Sequence, residues 1–231
     1  CFPTAAMLSL AAVAARRPLA LWRRAGRAFS TGVPRVPMFV DGKHVQSSTD
    51  RWIDLHDPAT NELIGLVPQC TNDEMEAAVE SSARAFASWR ATSVSNRARV
   101  MLRLQALIRE HWDELAGIIT REQGKTLADA RGDVFRGLEV VEHACAAPTL
   151  VMGETVEGVA EGVDVYSYVQ PLGVVAGITP FNFPAMIPLW MFPLAVVTGN
   201  TCLMKPSELD PSTTVRLAEL ASEAGLPPGV L

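Results

Sequence analysis

Residues 172–210 read LGVVAGITPFNFPAMIPLWMFPLAVVTGNTCLMKPSELD, and their pattern decides the fold. Leu172 to Thr179 is a nearly continuous apolar run rich in β-branched residues, the signature of a strand covered on both faces. Ala185 to Thr198 is apolar at helix length. Thr201 to Lys205 is a second apolar strand. Asp210 then offers a helix N-cap, Pro211 the favoured first helical position, and a helix runs on to Gly225. Strand, helix, strand and helix in succession predict a parallel sheet with helices packed on it.

Upstream the pattern differs. Pro37 to Gln46 reads as two short strands around a turn at Asp41-Gly42. Arg51 to Pro68 alternates apolar and polar about a turn at Asp57–Asn61, which predicts an antiparallel pair. Thr71-Asn72-Asp73-Glu74 is a capping box, followed at helical spacing by Met75, Ala78, Val79, Phe86 and Trp89. Further helices are expected from Ser95, from Asp113 to Gln123 with a stop at Gly124, and from Thr126 with Leu127, Val134, Leu138, Val141 and Cys145 on its packing face. His111 and His143 on these helices read as structural or solvent-exposed. Thr155–Ala160 and Val163–Gln170 form a hairpin around Glu161-Gly162, either an edge ribbon or an arm that pairs with another subunit.

The 231 residues carry a net charge of −5, which argues against a nucleic-acid partner. No apolar run reaches the roughly 18 residues of a membrane helix. Cys1, Cys70, Cys145 and Cys202 are far apart, have no metal-ligand spacing, and read as small buried hydrophobes. No Asp or Glu occurs before Val40, while Arg16, Arg17, Arg23, Arg24, Arg27 and Arg35 do. Such a stretch reads as a mitochondrial transit peptide over residues 1–32, with cleavage near Phe29-Ser30-Thr31; the apolar run Ala5–Ala15 makes a secretory signal the rival. The first residue is not Met, and Gly225 to Leu231 reads as a helix stop leading into a new strand, so both ends read as parts of a longer chain.

Ligands of open α/β sheets bind beyond the carboxyl ends of the strands. Two segments lie there, Thr179–Pro184 and Lys205–Glu208. No GxGxxG separates the first strand from its helix, so a standard dinucleotide fingerprint is missing. Glu208 is nevertheless placed to accept from a ribose diol and Lys205 to donate to the same sugar; the carboxylate would repel a 2′-phosphate, which favours NAD over NADP. A surface ion pair would leave the same two letters. Asn182 sits between two aromatics and two prolines. Its side-chain amide can serve a developing oxyanion or can simply brace the turn.

Thr179-Pro180-Phe181-Asn182-Phe183-Pro184, the apolar helix, Gly199-Asn200-Thr201 leading to Lys205-Pro206-Ser207-Glu208, and Gly225-Leu226-Pro227-Pro228-Gly229 together resemble the aldehyde dehydrogenase superfamily in order and spacing. The resemblance extends back to about Pro37. It implies an α/β fold of the aldehyde dehydrogenase NAD-binding type, with a partial parallel sheet, an oligomerisation hairpin over 154–170 and the catalytic domain absent. The NAD-binding parts would be 37–153 and 171–231. Asn182 would be an oxyanion donor. Lys205 and Glu208 would hold the adenosine ribose of NAD, and Thr179, Phe181 and Leu209 would line the cofactor cleft.

Phe181, where most members have Trp, the run to Pro193, and Arg121–Thr126 through Glu142–Cys145 resemble the CoA-acylating branch. That branch oxidises malonate and methylmalonate semialdehydes, with loss of CO2, to acetyl-CoA and propionyl-CoA in valine and pyrimidine breakdown. The resemblance thus implies NAD as cofactor, CoA as co-substrate, a mitochondrial matrix location, a homotetramer and no metal. It also implies a Cys nucleophile that none of these four cysteines matches, so the chain by itself would be inactive and, with half a sheet, only marginally stable. A non-catalytic short form that binds full-length subunits through the hairpin, another aldehyde substrate class, and an unrelated nucleotide-binding module are the alternatives.

Overall fold

The structure, a computed structural model, describes residues 32–231; the transit segment expected over 1–32 lies, but for Gly32, outside them. Two antiparallel pairs come first: β1 (Met38–Val40) with β2 (Lys43–Val45), and β3 (Trp52–His56) with β4 (Leu63–Pro68). Asp41 and Gly42 both adopt positive φ, as a tight two-residue hairpin turn requires.

Helix α1 (Asn72–Trp89) opens on the expected capping box: Thr71 Oγ1 accepts from Glu74 N while the Glu74 carboxylate accepts from Thr71 N. Its apolar stripe is only partly buried. Met75 and Val79, expected in the core, are exposed. The contact is made instead by Trp89 and the small Ser81 and Ser82, with Thr201 donating to the Ser82 carbonyl. Trp89 Nε1 donates to Val196 O at 2.8 Å and ties α1 to the apolar helix 107 residues away.

Helix α2 (Val94–Glu110) is capped by Ser93 rather than opened by Ser95. Helix α3 (Trp112–Gln123) ends at Gly124, whose φ of 86° only glycine holds without strain. Helix α4 (Leu127–Ala144) is capped by Thr126; Leu127, read as packing, is exposed in its first turn. A short α5 (Ala147–Leu150), not foreseen, follows.

The hairpin β5 (Thr155–Ala160) and β6 (Val163–Tyr166) is exposed along its whole length. β6 ends at Tyr166, four residues short of the expected Gln170, because pairing with β5 stops at Thr155.

Strand β7 (Val174–Ile178), helix α6 (Met186–Val197), strand β8 (Thr201–Lys205) and helix α7 (Ser212–Glu223) form the anticipated βαβα unit, with β7 and β8 parallel from Val174↔Thr201 to Ile178↔Lys205. Helices α4 and α6 pack closely because position 137 lacks a side chain. A Cβ there would lie 2.6 Å from Leu189 Cδ1. The core runs from Met101, Leu104 and Ile108 through Leu189, Phe192 and Val196 to Leu217.

Four further expectations need correction. β7 is not covered on both faces: Val174, Ala176 and Ile178, which alternate onto one face of the strand, are exposed. Asp210 does not cap α7; Pro211 occupies the N-cap position and makes no side-chain cap. Of the four cysteines read as buried hydrophobes, Cys1 lies outside the described residues, Cys202 is buried, Cys145 partly so, and Cys70 exposed; the last three are free thiols. The strand expected after Gly225 does not form, but Val230 O accepts from Cys202 N at 2.8 Å, beside β8. No helix among the described residues is long and apolar enough to cross a membrane.

Candidate functional site

Because β7 and β8 run parallel and in register, their carboxyl ends deliver two loops side by side. Thr179 N donates to Lys205 O at 3.1 Å, one step past the last paired residues. The first loop carries Phe181 and Asn182, the second Glu208 and Leu209. Phe181, Asn182 and Leu209 are exposed, whereas Thr179 is buried. A groove of about 420 Å³ lies against Phe181 and Leu209, with Leu55, His56, Pro58, Glu122 and Gln123 on its other walls.

Lys205 Nζ sits 3.2 Å from Glu208 Oε2, and both side chains are about half exposed. The ion pair that the letters allowed is therefore formed, at the mouth of the sheet. A backbone hydrogen bond within Glu208 and the Lys205 ammonium hold its carboxyl below the usual range, so it stays ionised as an acceptor. Among the described residues no hydrogen bond occupies the Asn182 side-chain amide, which leaves its N–H groups free to donate; its backbone carbonyl is taken by Lys125.

Beneath these loops lie three buried carboxylates. Asp133 Oδ1 accepts from Met186 N at 2.7 Å and Oδ2 from Lys125 Nζ at 2.7 Å. Glu122 Oε2 accepts from Ser212 N at 3.0 Å; burial raises its pKa against those bonds. Asp210 has no partner for either oxygen among the described residues. Burial first, then the neighbouring Glu122 and Asp133, push its pKa up to about 7.

Lys125, Asp133, Glu122 and Asp210 were not among the site residues expected from the sequence. One signal was legible. Asp133 falls on the apolar stripe of α4, between Ala130 and Gly137, where a carboxylate must find a partner. Among the described residues, burial pushes the Cys202 thiol up to about 12 and raises Cys145 and Cys70 as well. Among the described residues no group of three or more His, Cys, Asp or Glu could hold a metal ion.

Residues 44–231 match the aldehyde dehydrogenase family, and the chain belongs to it. Within that family it is 58% identical over 212 residues to the Mus musculus mitochondrial methylmalonate-semialdehyde/malonate-semialdehyde dehydrogenase (acylating), covering 92% of this chain and 40% of the relative. It is 56% identical over 235 residues to the Homo sapiens protein of the same name, covering 98% and 44%.

Among solved structures, methylmalonate-semialdehyde dehydrogenase from Oceanimonas doudoroffii superposes with a TM-score of 0.83 at 45% identity, over 86% of this chain and 40% of that one. A candidate methylmalonate-semialdehyde dehydrogenase from Sinorhizobium meliloti, complexed with NAD, gives 0.85 at 46%, over 87% and 41%. The chain thus spans about 40% of the length of the relatives it matches.

Proposed function

We propose that the chain supplies the NAD-binding half-site and the oxyanion donor of a CoA-acylating semialdehyde dehydrogenase. The whole protein would oxidise malonate and methylmalonate semialdehydes to acetyl-CoA and propionyl-CoA with release of CO2, in the mitochondrial matrix. The observation that carries this reading is the register of β7 and β8, which sets the unpartnered Asn182 amide and the Lys205–Glu208 pair on adjacent loops.

The residues fit the adenosine end of NAD. Glu208 is ionised and open, so it can accept from both ribose hydroxyls, while Lys205 donates to one of them and keeps Glu208 oriented. A 2′-phosphate would meet the same carboxylate and be repelled. Phe181 and Leu209 offer exposed apolar surface for the cofactor to lie against. NAD, when bound, accepts the hydride that the substrate carbon gives up. Asn182 acts before that step: when a thiolate adds to the aldehyde, the carbonyl oxygen becomes negative, and a fixed amide N–H stabilises it without reorganisation.

The thiolate is read as belonging to the part of the whole protein that this chain, about 40% of its relatives' length, does not span. The hairpin β5–β6, with Val156, Val159, Val163, Val165 and Tyr166 exposed, is read as the arm that pairs with another subunit in a homotetramer. Residues 1–32 are read as the transit peptide.

The test is NADH formation from malonate semialdehyde by the full-length protein, with and without CoA. NADH formation that requires both NAD and CoA for turnover supports the reading; no NADH, or equal turnover without CoA, refutes it. The 231-residue chain alone is expected to form none.

A further inference from the structure

The loop that carries Asn182 is exposed, yet an oxyanion donor must be held still to be of use. The hydrogen bonds beneath it show what holds it. Lys125 follows Gly124, the glycine that ends α3, and precedes Thr126, the cap of α4, so its backbone is fixed from both sides. Its side chain is only 16% exposed. The ammonium makes three contacts. Nζ donates to Asp133 Oδ2 at 2.7 Å and to Asn182 O at 2.5 Å, and it lies 4.0 Å from the centre of the Phe183 ring. Asp133, fully buried, uses its other oxygen to accept from Met186 N, in the first turn of α6.

One Lys–Asp pair therefore grips the chain at Asn182, Phe183 and Met186 together. The grip is on the backbone of Asn182, and it leaves the side-chain amide unengaged. Asp133 is buried with both oxygens accepting, so moving Lys125 away would leave a carboxylate unpaired in the interior, and the pair resists displacement. Phe183 adds a second restraint, since its ring face attracts the same ammonium.

We infer that Lys125, supported by Asp133, is a positioning residue: it holds the Asn182 peptide so that the free amide is ready for the developing oxyanion. This rests on the function proposed above. Lys125 does not touch substrate in this arrangement; it acts through Asn182.

The experiment is a double-mutant cycle in the full-length protein, with Lys125→Met, Asn182→Ala and the pair, reading kcat for NADH formation and the dissociation constant of NAD. Lys125→Met is expected to lower kcat about tenfold or more, in line with losing much of one oxyanion donor, with NAD affinity changed less than about twofold. In the Asn182→Ala background it should lower kcat no further, because the group it positions is gone. A structural role elsewhere would subtract the same factor in both backgrounds. Unchanged kcat in Lys125→Met, or a loss of equal size in the two backgrounds, overturns the inference. If Lys125→Met does not fold, Lys125→Gln goes through the same cycle.

A second readout does not depend on activity. In the full-length protein, hydrogen exchange at the Met186 and Ile187 amides, which donate to Asp133 Oδ1 and to Phe183 O, should accelerate in Lys125→Met while β3 and β4 stay protected. Unchanged exchange there overturns the clamp. If the wild-type protein forms no NADH from the semialdehyde, the functional reading is what fails, and the exchange result decides the clamp by itself.

Discussion

Replacing Glu74 with Gln should destabilise the protein by about 2 kcal/mol at neutral pH, and the loss should vanish in acid. Glu74 closes the capping box of α1 and reaches beyond it. Its carboxylate accepts from Thr71 N, Ser48 N, and the hydroxyls of Ser47 and Ser48. It thereby fastens the segment after β2 to the start of α1. Burial alone would raise its pKa; the bonds from Ser48 and Thr71 backbone and from Ser47 and Ser48 side chains outweigh it and bring the pKa from 4.5 to about 2.

That difference corresponds to roughly 3 kcal/mol by linkage, and partial exposure discounts it to about 2. The sign follows from the direction. A carboxyl depressed on folding contributes its full stability above the unfolded value of 4.5 and loses it as pH falls toward 2. Urea unfolding followed by tryptophan fluorescence, wild type against Glu74→Gln, measures the gap at neutral pH and again at the lowest pH where both still fold. A gap under about 0.5 kcal/mol at neutral pH, or one that does not shrink in acid, would refute the reasoning.

Asp210→Asn should stabilise the protein at alkaline pH, because a carboxyl whose pKa rises from 3.8 to about 7 on folding carries a penalty that grows between those values and is absent below them; thermal melts at pH 5 and 8 that show an equal gain at both would contradict this. Gly124→Ala should cost about 1–2 kcal/mol, since an alanine dislikes the left-handed φ and its Cβ would lie 2.8 Å from Pro58 Cγ; a melt unchanged from wild type would argue against it. Glu208→Gln should weaken NAD binding about tenfold while leaving NADP binding unchanged or stronger, a shift read by calorimetry on the full-length protein; equal weakening of both would remove Glu208 from the ribose.

The regular elements were legible where local chemistry decides them. The capping box at Thr71–Glu74, the stop at Gly124 and the alternation of Arg51–Pro68 depend on neighbours within a few residues, and all three stand as read. The errors fall where a distant element decides burial. Met75 and Val79 have the right spacing for a core stripe, yet α1 meets the sheet through Ser81, Ser82 and Trp89, so the stripe faces outward. Val174 and Ile178 read as doubly covered because β-branched residues in an unbroken apolar run usually are, yet both lie exposed. Asp210 looked like a cap because an Asp before a Pro and a helix usually is one. Here the side chain turns into a buried acidic neighbourhood instead, and Pro211 takes the cap position.

The site divides along the same line. Lys205, Glu208 and Asn182 were visible because strand ends place them, and strand ends can be counted along the chain. Lys125 and Asp133 were not, because their importance lies in a contact made across 57 residues, from Lys125 to the Asn182 carbonyl. What ties the two halves is the order of elements. α4 carries Asp133 on the face that packs against α6, and α6 begins at Met186, directly after the asparagine loop. Gly137 lets those two helices approach. A substitution that pushes them apart, such as Gly137→Ala against Leu189, would therefore loosen the Asp133–Met186 bond and the loop with it. Packing in the apolar core and readiness of an exposed amide are coupled through one buried carboxylate.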